Sequence, residues 1–419
     1  MTSRFSRGKE RLSTVSVDES IESTPRGLTG IKAMMDVTGD PKITEDIFVF
    51  LEVFSGEGGI QSYVKDILRT YSTLVTTDRA RTADILLLRD GLGCDNPFDT
   101  GDRTKPSPMQ FRYMHTLPLW WGRIRFAGTL MARLLRKKPD RVFCGHIKLA
   151  PLIRMLCQPL GIPYTVLTYG KEVWDPLPKL YRDALEHAQS IWTISRYSRD
   201  LACRANHLDP QKFELLPCAI RGEMFTPAPK PPHLVAKYGL EGSKVLMTVA
   251  RLWSGDIYKG VDVTIRALPK ISQKFPDVKY LAIGRGDDRP RLEQLAKDLG
   301  VVDRVIFAGF VPDEELPDHY RVADAYIMPS QEGFGIVYLE AMATGIPVLA
   351  GDSDGSADPL QDGRLGWQIP HRDPEAVAAA CIEILLGGDR RCDGEWLREQ
   401  MLAQFGMDAF RDRLAELLE

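Results

Sequence analysis

Short apolar runs alternate with helical hydrophobic patterns along most of the chain. The first run, residues 47–51, is continuously apolar, as in a strand buried on both faces of a sheet. A glycine-rich turn follows at 55–59, and residues 60–68 then place apolar side chains at helical spacing. A strand, a glycine turn and a helix in this order predict the opening unit of a parallel α/β sheet.

The same pattern continues on both sides of a proline-rich segment at 227–232. Strands are predicted before it at 85–88, 141–143, 164–167 and 190–194, and after it at 245–250, 280–283, 305–308, 325–328 and 348–350. Two such series joined by a linker predict two doubly wound, Rossmann-like domains that face each other across a cleft. Ligands of these sheets bind at the carboxyl ends of the strands.

The predicted domains follow from this division. Residues 1–44 are rich in Ser, Thr and charged side chains, and we expect them to be disordered. The N-terminal Rossmann-like domain is predicted over 45–226 and the C-terminal one over 233–400. The proline-rich segment between them is the predicted linker.

Composition narrows the protein class. The formal charge is −3, so no overall field favours nucleic acid, and we expect no nucleic-acid partner. Seven scattered cysteines without a CxxC pair exclude a disulfide scaffold and a thiolate zinc site, and they fit a reducing cytosol. The chain has neither a long uninterrupted apolar run nor an apolar signal core, so we expect a cytoplasmic protein.

The segment 329–342, with the sequence PSQEGFGIVYLEAM, is the strongest motif. It follows the predicted strand 325–328, so its first residues lie at a carboxyl edge of the sheet. Gly333 and Gly335 allow the backbone to approach a ligand closely. A helix that begins near Ile336 points its free N–H groups at an anion in the cleft.

Four charged side chains are candidate ligand-binding groups. The carboxylates of Glu332 and Glu340 can accept hydrogen bonds from ligand hydroxyls. Arg251 and Lys259 flank the loop 251–260 after a predicted strand, where two cations could clamp a diphosphate. The alternatives are that Glu332 only favours the helix dipole and that the other three are solvated surface charges.

Two weaker motifs change the picture little. The segment 284–289 begins like a dinucleotide fingerprint but lacks its third glycine, and a turn beside the nucleotide is the interpretation we favour. The segment 351–355 matches a nucleophile elbow around Ser353, without a suitable histidine partner. Asp352 and Asp354 there could hold a divalent ion, but a solvated loop is the simpler interpretation, and no metal site is predicted.

Taken together, these residues resemble the retaining GT-B glycosyltransferases of family 4, the group 1 glycosyltransferases. The resemblance covers about residues 46–400. It is most specific in Ala250-Arg251 with Lys259-Gly260, in 309–311, and in 332–348.

The resemblance implies a role for each candidate residue. Arg251, Lys259 and Glu332 would be catalytic, with the two cations on the donor diphosphate and Glu332 on the donor sugar. Glu340 would accept a hydrogen bond from the ribose. The implied donor-binding residues, from glycine loop to base, are Gly58, Gly59, Val311, Gly333, Phe334, Gly335, Ile336 and Glu340. In this family the last helix often returns to the first domain, which here would be residues from about 401 to 419.

Two positions depart from the family pattern. Many relatives carry a histidine near the donor in a Thr-His-Gly segment, where this chain has Tyr169. His146, after the predicted strand 141–143, is a candidate substitute on the acceptor or donor side, and a structural histidine is the alternative. The usual Gly-Gly…Pro-Glu turn is replaced here by 354–358.

The implied function is transfer of a hexose from a UDP- or GDP-sugar to a glycan or lipid-linked acceptor, with retention of configuration, in polysaccharide or glycolipid biosynthesis. We expect no metal or other cofactor, because the cations and the helix N-terminus can stabilise the departing diphosphate. The alternatives are a non-catalytic sugar-nucleotide-binding protein, a sugar-nucleotide epimerase or a phosphorylase on the same fold.

Residues 111–138 are the candidate acceptor-side segment. They contain seven Lys and Arg, no acidic residue and several aromatics, including Trp120 and Trp121. Such a segment can lie in an anionic membrane interface, here at the inner face of the membrane and near a lipid-linked acceptor. The alternative is an ordinary helix with an apolar inner face and solvated cations.

Overall fold

A computed structural model describes residues 44–419 of the chain, except for residue 57 and the segments 78–80 and 99–106. The segment expected to be disordered, 1–44, therefore lies outside the described residues apart from Thr44, which is the first residue of a strand. In the part that is described, no helix combines the length and the apolar character needed to cross a membrane.

The first sheet has seven parallel strands in the order β3-β2-β1-β4-β5-β6-β7. The strands are β1 (Thr44–Phe50), β2 (Arg81–Leu87), β3 (Met109–Tyr113), β4 (Arg141–Cys144), β5 (Tyr164–Thr168), β6 (Ser190–Thr193) and β7 (Phe213–Leu215). The helices of this half are α1 (Gly59–Thr77), α2 (Leu119–Lys137), α3 (Ala150–Cys157), α4 (Lys179–Glu186) and α5 (Arg196–Asn206).

The second sheet has six parallel strands in the order β10-β9-β8-β11-β12-β13. They are β8 (Val245–Val249), β9 (Lys279–Ile283), β10 (Val305–Gly309), β11 (Ala325–Met328), β12 (Val348–Gly351) and β13 (Trp367–Ile369). The helices are α6 (Pro232–Tyr238), α7 (Val261–Lys274), α8 (Arg289–Asp298), α9 (Leu316–Arg321), α10 (Ile336–Ala343) and α11 (Pro374–Leu386), followed by α12 (Gly394–Phe405) and α13 (Met407–Leu418).

The predicted α/β class with two parallel sheets is confirmed, and every predicted strand is present within a few residues of its predicted bounds. The three strands that the pattern did not predict, β3, β7 and β13, are all edge strands. An edge strand is short and partly exposed, so it lacks the continuous apolar run that identifies a central strand of a parallel sheet.

The last helix packs against the first sheet and its helix α1. Phe410, Leu414 and Leu418 of α13 are buried, and the Phe410 ring meets that of Tyr63 on α1 edge to face at 6.1 Å. Guanidinium groups satisfy the last carbonyls of α13: that of Arg81 donates to Leu418 O and that of Arg141 to Leu417 O, each at 2.8 Å. Cations at a helix C-terminus also favour the helix dipole.

Replacing one buried side chain of α13 tests this packing. Leu414 is 1% exposed, so Leu414→Ala should lower the free energy of unfolding by about 2–5 kcal/mol. Asp412→Ala on the exposed face of the same helix is the control, with a change of about 1 kcal/mol or less. Urea titration of both variants measures the difference, and equal midpoints would contradict the packing described.

Candidate functional site

Two loops of the second sheet lie against each other because β8 and β11 are neighbouring strands. The loop 251–260 follows β8, and the loop 329–335 follows β11. The Gln331 N–H donates to Tyr258 O at 3.2 Å. Gly260 has a positive φ of 75°, and a Cβ there would come within 2.5 Å of Pro329 O, so glycine is needed for this close approach.

The ammonium group of Lys259 forms an ion pair with Oε1 of Glu332, which joins the two loops through their side chains. The pair is largely enclosed, since the two side chains are only 17% and 16% exposed. Glu332 lies just before Gly335, the N-cap residue of α10, where no side chain among the described residues caps the helix. Lys259, Glu332 and the free amide groups of α10 therefore lie close together.

Arg251 begins the same loop but is more exposed. Its guanidinium pairs with Asp256 at 3.1 Å and lies 4.8 Å from the ring centre of Trp253. Arg251 and Lys259 line one small pocket with Asp256. Of these two cations, Lys259 contacts Glu332 before the helix tip, whereas the contacts of Arg251 are with Asp256 and Trp253 of its own loop. Their role stays a prediction.

The 284–289 turn supports the Arg251 loop. Gly284 and Gly286 lie so close to it that a Cβ would approach Ala250 O and Leu252 O within 2 Å. Asp287 accepts hydrogen bonds from the N–H and the hydroxyl of Ser254, both at 2.8 Å. The turn 284–289 therefore holds the backbone of the loop 251–260, which lines the pocket.

Glu340 lies on α10 and faces α9. The Tyr320 hydroxyl donates to Oε2 of Glu340 at 2.6 Å, and among the described residues no side chain donates to Oε1. Burial, with a smaller contribution from the nearby Asp313 carboxylate, raises the pKa of this carboxyl to about 7, although the Tyr320 hydrogen bond acts to lower it. Val311, which is 7% exposed, follows β10 in the neighbouring loop. The pKa of Glu340 therefore lies well above that of an ordinary glutamate.

The segment 354–358 holds the Glu332 loop in place. The Asp354 carboxylate accepts from the N–H groups of Glu332 at 2.5 Å and of Ser356 at 2.8 Å. Gly355 donates its N–H to Glu332 O at 2.8 Å, and a Cβ on it would lie 2.0 Å from Gly333 O. Burial raises the pKa of Asp354 to about 6. The segment 354–358, which departs from the family turn, therefore still supports the loop. The solvated interpretation favoured for Asp354 is wrong, because its carboxylate is buried and binds backbone amides.

Side chains that follow strands of the first sheet contact the loops of the second sheet. The Ser195 hydroxyl, after β6, donates to Gly333 O at 2.6 Å. Arg196 forms ion pairs with Asp358 and Asp362. The Lys171 ammonium, after β5, lies 3.6 Å from the ring centre of Tyr258. The carboxyl edges of the two sheets therefore face each other, as the fold class predicts.

The glycine loop after β1 is organised by Asp90. This buried carboxylate accepts from the N–H groups of Val53, Phe54 and Ser55 at 2.8–3.0 Å. Gly58, with a φ of 149°, and Gly59, the first residue of α1, follow this anchored segment. Asp90 was not predicted, although its position just after an apolar strand run was a usable signal.

Three candidate side chains are committed to internal contacts. The Tyr169 hydroxyl donates to Gly145 O at 2.7 Å, and the residue is only 8% exposed. His146 Nδ1 accepts from the Lys148 N–H at 3.1 Å, and burial lowers its pKa to about 4, so the ring is neutral. The buried Phe334 ring packs against Phe405 of α12 at 5.8 Å, which leaves only its backbone for a ligand.

The two carboxylates considered as metal ligands, those of Asp352 and Asp354, form other contacts. Ser353 donates to Asp352 at 2.9 Å, and Asp354 is occupied by backbone amides as described above. The described residues contain no group of three or more His, Cys, Asp or Glu side chains placed to hold a metal ion.

Comparisons with known proteins agree on one family. The family model described as "Glycosyl transferases group 1" matches residues 243–386. The GDP-mannose-dependent alpha-(1-6)-phosphatidylinositol monomannoside mannosyltransferase of Mycolicibacterium smegmatis is 36% identical, over 52% of this chain and 59% of its own length. The enzyme of the same name from Mycobacterium tuberculosis H37Rv is 33% identical, over 60% of this chain and 68% of its own length.

Solved structures share the fold at low sequence identity. HepE of Anabaena in complex with UDP has a TM-score of 0.70 and 18% identity, and the match covers 90% of this chain and 99% of HepE. The sucrose-phosphate synthase of Thermosynechococcus elongatus has a TM-score of 0.68 and 19% identity, over 90% and 98% of the two chains. These matches identify the GT-B fold.

Proposed function

Because this chain belongs to the group 1 glycosyltransferases, we propose that it transfers a mannosyl group from GDP-mannose to a lipid-linked acceptor with retention of configuration. The observation that carries this proposal is the junction of Lys259, Glu332 and the uncapped N-terminus of α10. The names of the mannosyltransferase relatives support the donor and the phosphatidylinositol class of acceptor. The match spans only 59% of the M. smegmatis relative, so donor and acceptor are both part of the proposal.

The donor diphosphate binds between the two cations and the helix tip. The first amides of α10 point out of the helix and attract an anion. Lys259 is already fixed there by Glu332, whereas Arg251 is 58% exposed and can turn towards the phosphate from the loop entrance. The amides of Gly333, Phe334 and Gly335 and the second oxygen of Glu332 then face the sugar hydroxyls.

The bond between the sugar and the diphosphate breaks as the acceptor oxygen attacks from the same face. Negative charge develops on the departing diphosphate, where Lys259, Arg251 and the α10 amides stabilise it. A phosphate oxygen of the leaving group takes the acceptor proton, so no protein base is needed. These groups already supply the electrostatic stabilisation, and the proposal therefore includes no metal ion.

A panel of sugar nucleotides tests the donor and the reaction class. We expect GDP release from GDP-mannose that depends on a phosphatidylinositol-type acceptor, with an α-linked product by NMR of the anomeric proton. Release from UDP-sugars alone would overturn the proposed donor. Tight binding of a sugar nucleotide without turnover would favour a non-catalytic sugar-nucleotide-binding protein, and an altered free sugar nucleotide would favour an epimerase.

Removing either cation should slow the transfer. We expect Arg251→Ala and Lys259→Ala each to lower kcat by about 10²-fold or more, the scale seen when a comparable transition-state stabiliser is removed. Arg266→Ala is the matched control, since it removes an exposed cation from α7 outside the site. Near-normal turnover in both site variants would show that the diphosphate does not bind between these side chains.

The pKa of Glu340 predicts a pH dependence of nucleotide binding. The ionised carboxylate accepts a hydrogen bond from a ribose hydroxyl, so GDP affinity should fall as the pH drops through about 7. Titration calorimetry from about pH 6 to about pH 8 measures this change. Glu340→Gln is the control, because the nucleotide phosphate also titrates in this range but the variant lacks the carboxyl. Identical pH profiles for the two proteins would refute the ribose contact.

The acceptor side of the proposal is a contact between residues 111–138 and an anionic membrane surface. The segment forms the end of β3, a connecting turn and α2, and Trp120 and Trp121 are 58% and 48% exposed. Phe126, Leu130 and Leu134 face the core, as the simpler helix interpretation expects. That interpretation does not explain why Trp120 and Trp121 are exposed, whereas a membrane contact does. The proposal places the enzyme in the cytoplasm at the inner membrane face, and flotation with anionic liposomes at low salt checks it.

A further inference from the structure

Four arginines line one groove between the edge strand β3 and helix α2. Arg112 comes from β3, and the helix contributes Arg125, Arg133 and Arg136. The groove is also lined by three small residues of α2, Gly128, Thr129 and Ala132. We call this feature the arginine groove.

The helix sequence explains why a groove forms here. Residues 125, 128, 129, 132, 133 and 136 recur at intervals of three or four, so they share one side of α2. Small side chains at the centre leave space between the long ones, and a Cβ on Gly128 would meet nothing within 4 Å. The floor is therefore open, and the guanidinium groups surround it.

One buried carboxylate orients two of the arginines. Asp84 of β2 accepts from Arg112 at 3.3 Å and pairs with Arg133 at 3.2 Å. Arg125 donates to Tyr113 O at 3.1 Å, and Arg136 has no hydrogen-bond or ion-pair partner within the ranges the structure describes. Among the residues that the structure describes, the four groove arginines therefore share one carboxylate, that of Asp84. Guanidinium groups in excess of carboxylates, two of them held in place by Asp84, are suited to bidentate binding of a phosphate.

Exposed apolar side chains lie in the same segment, on and before the first turns of α2. Trp121 lies one turn before Arg125 on the same side of the helix. Leu117, Leu119 and Ile124 are 79%, 58% and 53% exposed. A free phosphate would give these apolar groups nothing to contact, whereas a phospholipid presents its phosphate in the headgroup layer, directly above the acyl-chain boundary that apolar side chains can enter.

We propose that the arginine groove binds the headgroup phosphate of an anionic phospholipid and so fixes the orientation of the first sheet on the membrane. This proposal rests on the membrane contact proposed above and assigns it to a discrete site. The groove lies on β3 and α2, whereas the proposed donor loops belong to the second sheet, so the two sites can be tested separately.

Two double variants with the same change of charge test the groove. Arg125→Gln/Arg136→Gln removes two groove cations, and Arg123→Gln/Lys138→Gln removes two exposed cations of the same segment that do not line it. Binding is measured by flotation with vesicles of phosphatidylcholine and phosphatidylinositol. We expect the groove variant to lose about tenfold or more in partitioning beyond the control variant. Equal losses would mean diffuse attraction to the surface and would overturn the groove.

Further measurements separate the other outcomes. The single variant Arg136→Gln removes a side chain that makes no described contact, so a loss of vesicle binding there supports the groove independently of folding. Inorganic phosphate could instead raise the melting temperature of the unaltered protein but not that of the groove variant. That result, without vesicle binding, would overturn the lipid assignment. Calorimetry with GDP in solution reports on the donor site alone. Absent vesicle binding with normal GDP binding would therefore overturn the groove and the membrane contact, but not the proposed donor.

Discussion

The enclosed ion pair between Lys259 and Glu332 is the contact on which the candidate site depends. It joins the loops after two neighbouring strands, at the N-terminus of α10. An ion pair that is mostly shielded from water is costly to break, because the remaining charge loses its partner without regaining full hydration. The Gly260–Pro329 approach and the Gln331–Tyr258 hydrogen bond hold the backbones at the distance that this pair requires.

A second set of contacts, from the segment 354–358 and from residues that follow β6 of the first sheet, supports that junction. Asp354 and Gly355 hold the backbone of Glu332 and Gly333, and Ser195 binds Gly333 O from the first sheet. Arg196 adds ion pairs to Asp358 and Asp362. The site is thus built from backbone positions that several elements determine together. Preorganised groups of this kind can stabilise charge without rearranging during the reaction.

The two sheets carry different chemistry. The second sheet presents cations, helix amides and a carboxylate with a pKa near 7, the groups on which the proposed donor site is based. The first sheet carries the exposed tryptophans and the arginine groove on its edge strand and α2. Helix α13 follows the helices of the second sheet in the chain but packs against α1 and β2 of the first. The two halves are therefore joined by this packing as well as by the linker.

Sequence alone determined the α/β class, the central strands and the identity of Arg251, Lys259, Glu332 and Glu340 as candidates. Continuous apolar runs identify strands buried on both faces, and polar residues just after them must lie at a carboxyl edge. The tertiary structure decided which of these edges meet. Strand β8 lies beside β11, far apart in sequence, and only that order brings Lys259 to Glu332. The anchoring by Asp90, the burial of Tyr169 and the grouping of four arginines around Asp84 likewise depend on neighbours that local patterns do not encode.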